Sequence, residues 1–277
     1  MKTLIKRNMK LYFRDKAGIF FSMLSVLITI TLFALFLRGG FNDPLILDSW
    51  LMAGILAMAS MTKSIGAFEI VISDRINKVA KGFYASPVKR GHITASYMIS
   101  PFVAGIIMTT LTTIGFSIYM VARGGEMPGV IGMLQLVGVI LLANITGTAM
   151  LCFIVSLIKS MSVWGIVGTI IGTLSGFLIG VYMPIGQLPQ AVQYGMVLFP
   201  PFHAAMLFRQ ILMGYSFDVI YAAGASAADI AELSDLLGAT FRFGDFVITP
   251  VMSVLYLAAA GLVFFGLSVM QMRKLEK

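Results

Sequence analysis

Residues 130–158 run VIGMLQLVGVILLANITGTAMLCFIVSLI without one charged side chain. In helix such a stretch is longer than the roughly 20 residues that cross a hydrocarbon core, and no soluble fold needs it. Five more apolar runs of comparable length occur, over 18–37, 50–72, 97–121, 163–183 and 247–270. They are continuous rather than alternating, and a lipid environment leaves no partner for unpaired backbone groups, so each reads as a helix and not as a barrel strand. The expected fold is therefore an all-α integral membrane protein with six transmembrane helices. Charged residues make up only 12% of the chain, about half the usual share of a soluble domain. The first run is longer than a signal-peptide core, and Arg38-Gly39-Gly40 is no cleavage site, so it reads as a retained span.

A seventh run, 191–207, has Pro200 and Pro201 in its middle and Gly195 on one side. Neither arm is long enough to cross, so the segment is expected to dip into the membrane as a re-entrant helical hairpin before the last span. With six spans, one side collects fifteen basic residues against Asp15, Asp74 and Glu276, and the other holds four basic residues against eight acids. The positive-inside rule then places both termini in the cytoplasm. The net charge of +8 is thus a topology signal and not a nucleic-acid footprint.

The chain reads as one transmembrane permease domain, 1–277, with three appendages: an interfacial helix over 1–17, a cytoplasmic loop over 73–92, and an outer hairpin and loop over 186–246. In the first, Leu4, Ile5, Met9, Tyr12 and Phe13 fall on one helical face and Lys6, Arg7, Lys10 and Arg14 on the other, as in a helix lying on the inner membrane surface. In the outer loop a short acidic helix over 227–237 is expected, with Ser226 as its N-cap and Asp229 in its first turn.

The cytoplasmic loop, SDRINKVAKGFYASPVKRGH, is the hydrophilic island of the sequence. Ile76, Val79, Ala80 and Phe83 recur at helical spacing opposite Arg75, Lys78 and Lys81. Ser73 can cap such a helix, Asp74 suits its dipole and Pro87 stops it, which predicts about three turns of amphipathic helix. Its apolar face fits a membrane surface or a groove in a cytoplasmic partner. Taken without further context, the same stretch is also what the positive-inside rule alone produces.

Asp74-Arg75 followed by Tyr84-Ala85-Ser86-Pro87-Val88-Lys89-Arg90 resembles the cytoplasmic loop of ABC-2-type transporter permeases. The resemblance extends to the basic N-terminal helix with Phe13-Arg14-Asp15, the six spans, and Leu188-Pro189, Pro200-Pro201 and Arg209 ahead of the last span. One departure is Lys78-Val79-Ala80-Lys81, where many members carry Gly-Thr-Leu-Glu. The resemblance implies a permease subunit of an ABC exporter in a cell membrane, bacterial in type, that pairs with a second permease subunit, identical or similar. It implies a loop helix that transmits the closure of cytoplasmic ATPase subunits, with Asp74, Arg75, Lys78, Lys81, Phe83, Tyr84, Pro87 and Arg90 as its coupling residues. No G-x-x-x-x-G-K-[ST] stretch occurs, so ATP would be hydrolysed by a separate P-loop subunit and the chain itself would bind no cofactor.

Gly168, Gly172, Gly176 and Gly180 repeat every fourth position in the fifth span, a groove for close helix packing, either between subunits or within one. Lys63 and Glu69 are the charges expected inside the spans, and an intramembrane charge marks a substrate path by default. Six residues apart, they are expected on different helix faces. Asn144 reads as a helix-packing residue, Pro101 and Pro250 as kinks near helix ends, and Cys152 as a small buried hydrophobe. His92 and His203 are expected on opposite membrane faces, which assembles no metal site or triad. An ion-gradient-driven secondary transporter stands as the alternative reading: it needs titratable groups at mid-membrane, for which Lys63 and Glu69 are the candidates. A membrane-embedded enzyme needs paired carboxylates or a metal cluster and ranks last.

Overall fold

The computed structural model describes residues 1–36, 44–85 and 88–275. Helix α1 is Lys2–Arg14, and α2 is Lys16–Phe36. The second span is interrupted: α3 is Pro44–Thr62 and α4 is Ile65–Ile76. A short α5, Val79–Tyr84, leads to α6, Arg90–Ala122, then α7, Val130–Leu157, and α8, Met161–Leu178. After a 3-10 turn at Ile185–Gln187 come α9, Gln190–Val197, α10, Pro200–Leu212, α11, Gly214–Ala222, and α12, Ala227–Leu237. A two-residue hairpin, β1 at Arg242–Phe243 and β2 at Phe246–Val247, precedes the last helix, α13, Pro250–Leu275.

Five of these helical stretches are long and apolar enough to cross a membrane: Leu45–Ile76, Gly91–Ala122, Val130–Leu157, Met161–Leu178 and Pro250–Gln271. The 21-residue α2 stands beside them, with Lys16–Thr29 as a shorter apolar stretch. Helices α9 and α10 meet at 96°. At 1.5 Å per residue their eight and thirteen residues reach about 12 and 20 Å, so neither arm spans the hydrocarbon core alone. The protein is an all-α integral membrane protein.

The bundle is held by close approaches where side chains are smallest. A Cβ on Gly147 of α7 would stand 2.9 Å from the backbone of Met61, and one on Gly105 of α6 would meet Ser64 Oγ and Asn144 Oδ1. Small residues there let helices α3, α6 and α7 cross with their backbones nearly touching, the packing that substitutes for a hydrophobic driving force in lipid. Polar side chains then pair in the gaps. Ser64 donates to the carbonyl of Pro101 at 3.1 Å and shares a hydrogen bond with Thr148, while Asn144 Nδ2 donates to Ile140 at 2.8 Å and its Oδ1 accepts from Thr109. Pro101 lies well inside the long α6, and Pro250 opens α13 at the first turn, where its missing N–H costs nothing.

The outer segment is built rather than loose. Ser226 caps α12 in a reciprocal capping box with Asp229, as its sequence pattern predicts, and those hydrogen bonds hold the Asp229 carboxyl below its ordinary range. Gly238 ends α12 in the left-handed conformation. The C-terminal carbonyls of two helices then converge on Arg209, which is fully buried. Its Nη2 donates to Ile179 at 3.0 Å and Gly180 at 2.7 Å, its Nη1 to Gly238 at 3.4 Å, and Trp50 lies 5.8 Å from its guanidinium. Trp50 Nε1 donates to the neighbouring Leu237 carbonyl at 3.0 Å. A cation at helix C-termini is favoured by the dipole, and the planar fork serves several carbonyls at once. Arg209 and Asp48 are among the charges counted on the side that holds eight acids, and both are buried in the bundle. Asp48 is buried in α3, where it accepts from Tyr119 at 3.1 Å.

Candidate functional site

The loop over 73–92 does not form the single helix expected from residue 73 onward. Ser73 and Asp74 lie within the last turns of α4, which continues the second span, so Ser73 caps nothing. Asn77 and Lys78 break the chain, Lys78 with φ +59°, before the single turn and a half of α5. A lysine in the left-handed region costs about 1 kcal/mol, and the corner it makes leaves Ile76, Lys78 and Val79 exposed at the tip. The apolar face drawn through Ile76, Val79 and Phe83 is thus split, with Phe83 half-buried against the bundle and the other two open. Lys81 and Tyr84 belong to α5, Arg90 begins α6, and Pro87 lies outside the described residues.

Asp74 and Arg75 bond to other helices of the bundle. Asp74 is buried and accepts from Arg7 of α1 through both guanidinium nitrogens and from the Tyr97 hydroxyl of α6 at 2.8 Å. The guanidinium also lies 5.3 Å from the Phe83 ring. The hydrogen bond to Asp74 raises the Arg7 pKa above its ordinary value, although burial opposes it. Next to Arg7, Asn8 Nδ2 donates to Ser100, one turn past Tyr97 on α6, at 3.3 Å. Arg7, assigned by periodicity to the solvated basic face of α1, therefore faces the bundle, and Asn8 is the buried residue of that helix. Arg75 donates to the carbonyls of Val155 and Ile158 at 3.3 and 3.1 Å, satisfying the C-terminus of α7. The acidic-Arg pair thus clamps α1, α4, α6 and α7 into one block whose tip is exposed. Periodicity missed this because a two-residue motif states no direction.

Lys63 and Glu69 line one cleft of about 390 Å³ between the α1–α2 corner and the interrupted second span, together with Tyr12, Asp15, Ser22 and Gly66. The expectation that they face apart is corrected. At the interruption the long Lys63 side chain turns to α2, where it donates to the Ser22 hydroxyl at 2.8 Å and to its carbonyl. Burial in this cleft, helped by Asp15 and Glu69, pushes the Tyr12 phenol up to about 12. The glycines of the fifth span also divide. Gly180 lies beyond α8 with φ +70°, and the bonds Gly180 N–H to Phe177 and Val181 N–H to Gly176 make it a helix stop. A Cβ on Gly176 would strike Tyr182, and one on Gly168 would crowd Ile65, while Gly172 has nothing of this chain within 4 Å.

The fold is a helical membrane bundle whose second span continues into a loop tied to the N-terminal helix. The family model for ABC-2 type transporter matches residues 1–213, most of the chain, and the protein belongs to that family. It is a membrane component of an ABC transporter. No curated protein matches it.

Proposed function

We propose that the chain is the permease subunit of an ATP-driven exporter, crossing the membrane six times with both termini in the cytoplasm. It docks a separate P-loop ATPase on the loop tip and pairs with a second permease subunit. The observation that carries this reading is the clamped block with its bare tip. Ile76, Lys78 and Val79 stand exposed on a loop whose base is fixed to α1, α6 and α7. A partner closing on a tip held this way moves three helices, whereas a tip on a loose loop would move none. The inward Asp74 and Arg75 make the lever stiff, and the exposed residues make the contact. Gly172, the one glycine of the α8 repeat with free space around it, supports a subunit contact on that face. Lys63 and Glu69 border the path on this reading.

The test is co-purification with the cognate ATPase. Ile76→Asp with Val79→Asp abolishes the complex and ATP-dependent transport in vesicles, while the variant keeps the wild-type elution profile alone. Transport by the chain purified by itself, driven by an ion gradient and indifferent to nucleotide, overturns the proposal in favour of a secondary transporter.

A further inference from the structure

The cleft beside Lys63 holds charges of both signs in a fixed order. Helix α2 leaves the α1 corner after Asp15, and Ser22 lies six residues past its start at Lys16; the second span runs the other way, from Lys63 at its interruption into α4, whose fifth residue is Glu69. Six residues of α2 correspond to about 9 Å of rise, and the four from Ile65 to Glu69 to about 6 Å. Asp15, Glu69 and Tyr12 therefore sit at the level of the interfacial helix, and Lys63 and Ser22 sit deeper. Beyond Thr62 and Lys63, which border both spaces, a smaller cleft of about 150 Å³ continues toward Val26, Ile55, Met58 and Val181. The sequence of surfaces from the cytoplasm inward is acid, ammonium with hydroxyl, then hydrocarbon.

The charges are incompletely matched within the chain. Lys63 is more than nine-tenths buried and no carboxylate pairs with it among the described residues. Ser22 takes two of its three N–H bonds, and the hydroxyl that accepts one of them keeps its own proton to donate. Glu69 has no hydrogen-bond or ion-pair partner among the described residues. A bare buried ammonium is costly, and intramembrane charges of this kind are kept where a ligand or a pathway completes them.

We propose that this cleft binds a zwitterionic phospholipid of the inner leaflet whose headgroup ends in a primary amine. Such a lipid carries the complement in the same order: ammonium outermost, phosphate next, acyl chains innermost. The ammonium takes Asp15 and Glu69, the phosphate takes the remaining Lys63 N–H and the Ser22 hydroxyl, and a chain lies along Val26, Ile55 and Met58. A quaternary amine has no N–H to give the carboxylates, and an anionic glycerol headgroup offers them no cation at all. The inference concerns binding alone and stands whether or not an ATPase partner docks on the loop.

The test is lipid retention by the full chain in native mass spectrometry, after exchange into an equimolar mixture of phosphatidylethanolamine, phosphatidylcholine and phosphatidylglycerol with matched chains. Phosphatidylethanolamine is expected to be retained about tenfold over each of the others, the scale of one charge-assisted hydrogen bond. Asp15→Asn with Glu69→Gln is expected to bring the ethanolamine-to-choline ratio to about one. Equal retention of the three lipids, preference for the glycerol headgroup, or an ethanolamine preference that the double variant leaves unmoved overturns the proposal. The comparison of headgroups is made on the wild-type chain, so a variant that fails to fold does not remove it.

Discussion

Removing Arg7 is expected to cost more than removing Arg7 and the charge of Asp74 together. The Asp74 side chain is 6% exposed and that of Arg7 31%, so the pair lies between two known limits. Solvent-exposed pairs contribute about 0.2–1 kcal/mol, and breaking a buried one costs about 3–5 kcal/mol because a carboxylate is left without its cation. Discounting for the exposed guanidinium, we expect a coupling of about 2 kcal/mol between the two positions. Arg7→Met leaves Asp74 with the Tyr97 hydroxyl and is the worst of the set. Asp74→Asn keeps an acceptor for the guanidinium and costs less, and the double variant recovers part of the loss. For a chain of this size each kcal/mol corresponds to about 2–4 °C, so the coupling appears as roughly 4–8 °C in the apparent melting temperature. The assay is at hand in the sequence: Cys152 is the single cysteine and is buried, so a thiol-reactive fluorophore reports unfolding at one site. Scans are compared at one heating rate, since unfolding of such proteins is commonly irreversible. Single-variant losses that add to the double within about 0.5 kcal/mol refute the clamp, and α1 then rests on the bundle through apolar contact alone.

Three further outcomes are expected. Gly147→Ala places a methyl 2.9 Å from the Met61 backbone and lowers stability by about 1–3 kcal/mol, whereas Gly172→Ala, with nothing near it, stays within about 0.5 kcal/mol in the same melt. Arg209→Leu orphans the carbonyls of Ile179, Gly180 and Gly238, each worth about 1–3 kcal/mol, and shifts the protein to the void volume in size-exclusion chromatography; Arg209→Lys recovers only a part, because one ammonium cannot serve two helix ends as a fork does. Tyr12 has a folded-state pKa raised to about 12 from 10.0, so its contribution is complete below pH 10 and is lost as the pH climbs toward 12. Tyr12→Phe is therefore expected to flatten the alkaline fall of the melting temperature above pH 10.

The spans were legible because each is a long run with one physical requirement, removal from water. The capped helix 227–237 was legible for a different reason: Ser226 and Asp229 act within one turn, and local chemistry is written locally. The site was only half legible. Composition located the loop, but Asp74 turns inward because Arg7, sixty-seven residues earlier, waits beneath it, and no short-range pattern carries that contact. Helical periodicity also misassigned Arg7, since amphipathicity assumes that a basic side chain seeks water rather than a buried acid. A charge beside an apolar run reads as its border until the partner across the bundle is seen. The glycine repeat misled in its last member because spacing does not distinguish a groove from a helix stop, and φ +70° at Gly180 does.

The interruption at Lys63 and Ser64 gives the second span two allegiances. Before it, α3 packs most extensively on α10; after it, α4 packs on α6, α1 and α8 and leads to the exposed tip. The joint has no continuous helix to carry torque, and Ser64 ties it sideways to Pro101 and Thr148 instead. The two halves of the span are therefore braced through α6 and α7 as well as through each other, so a displacement of either half is felt by its neighbours at the joint.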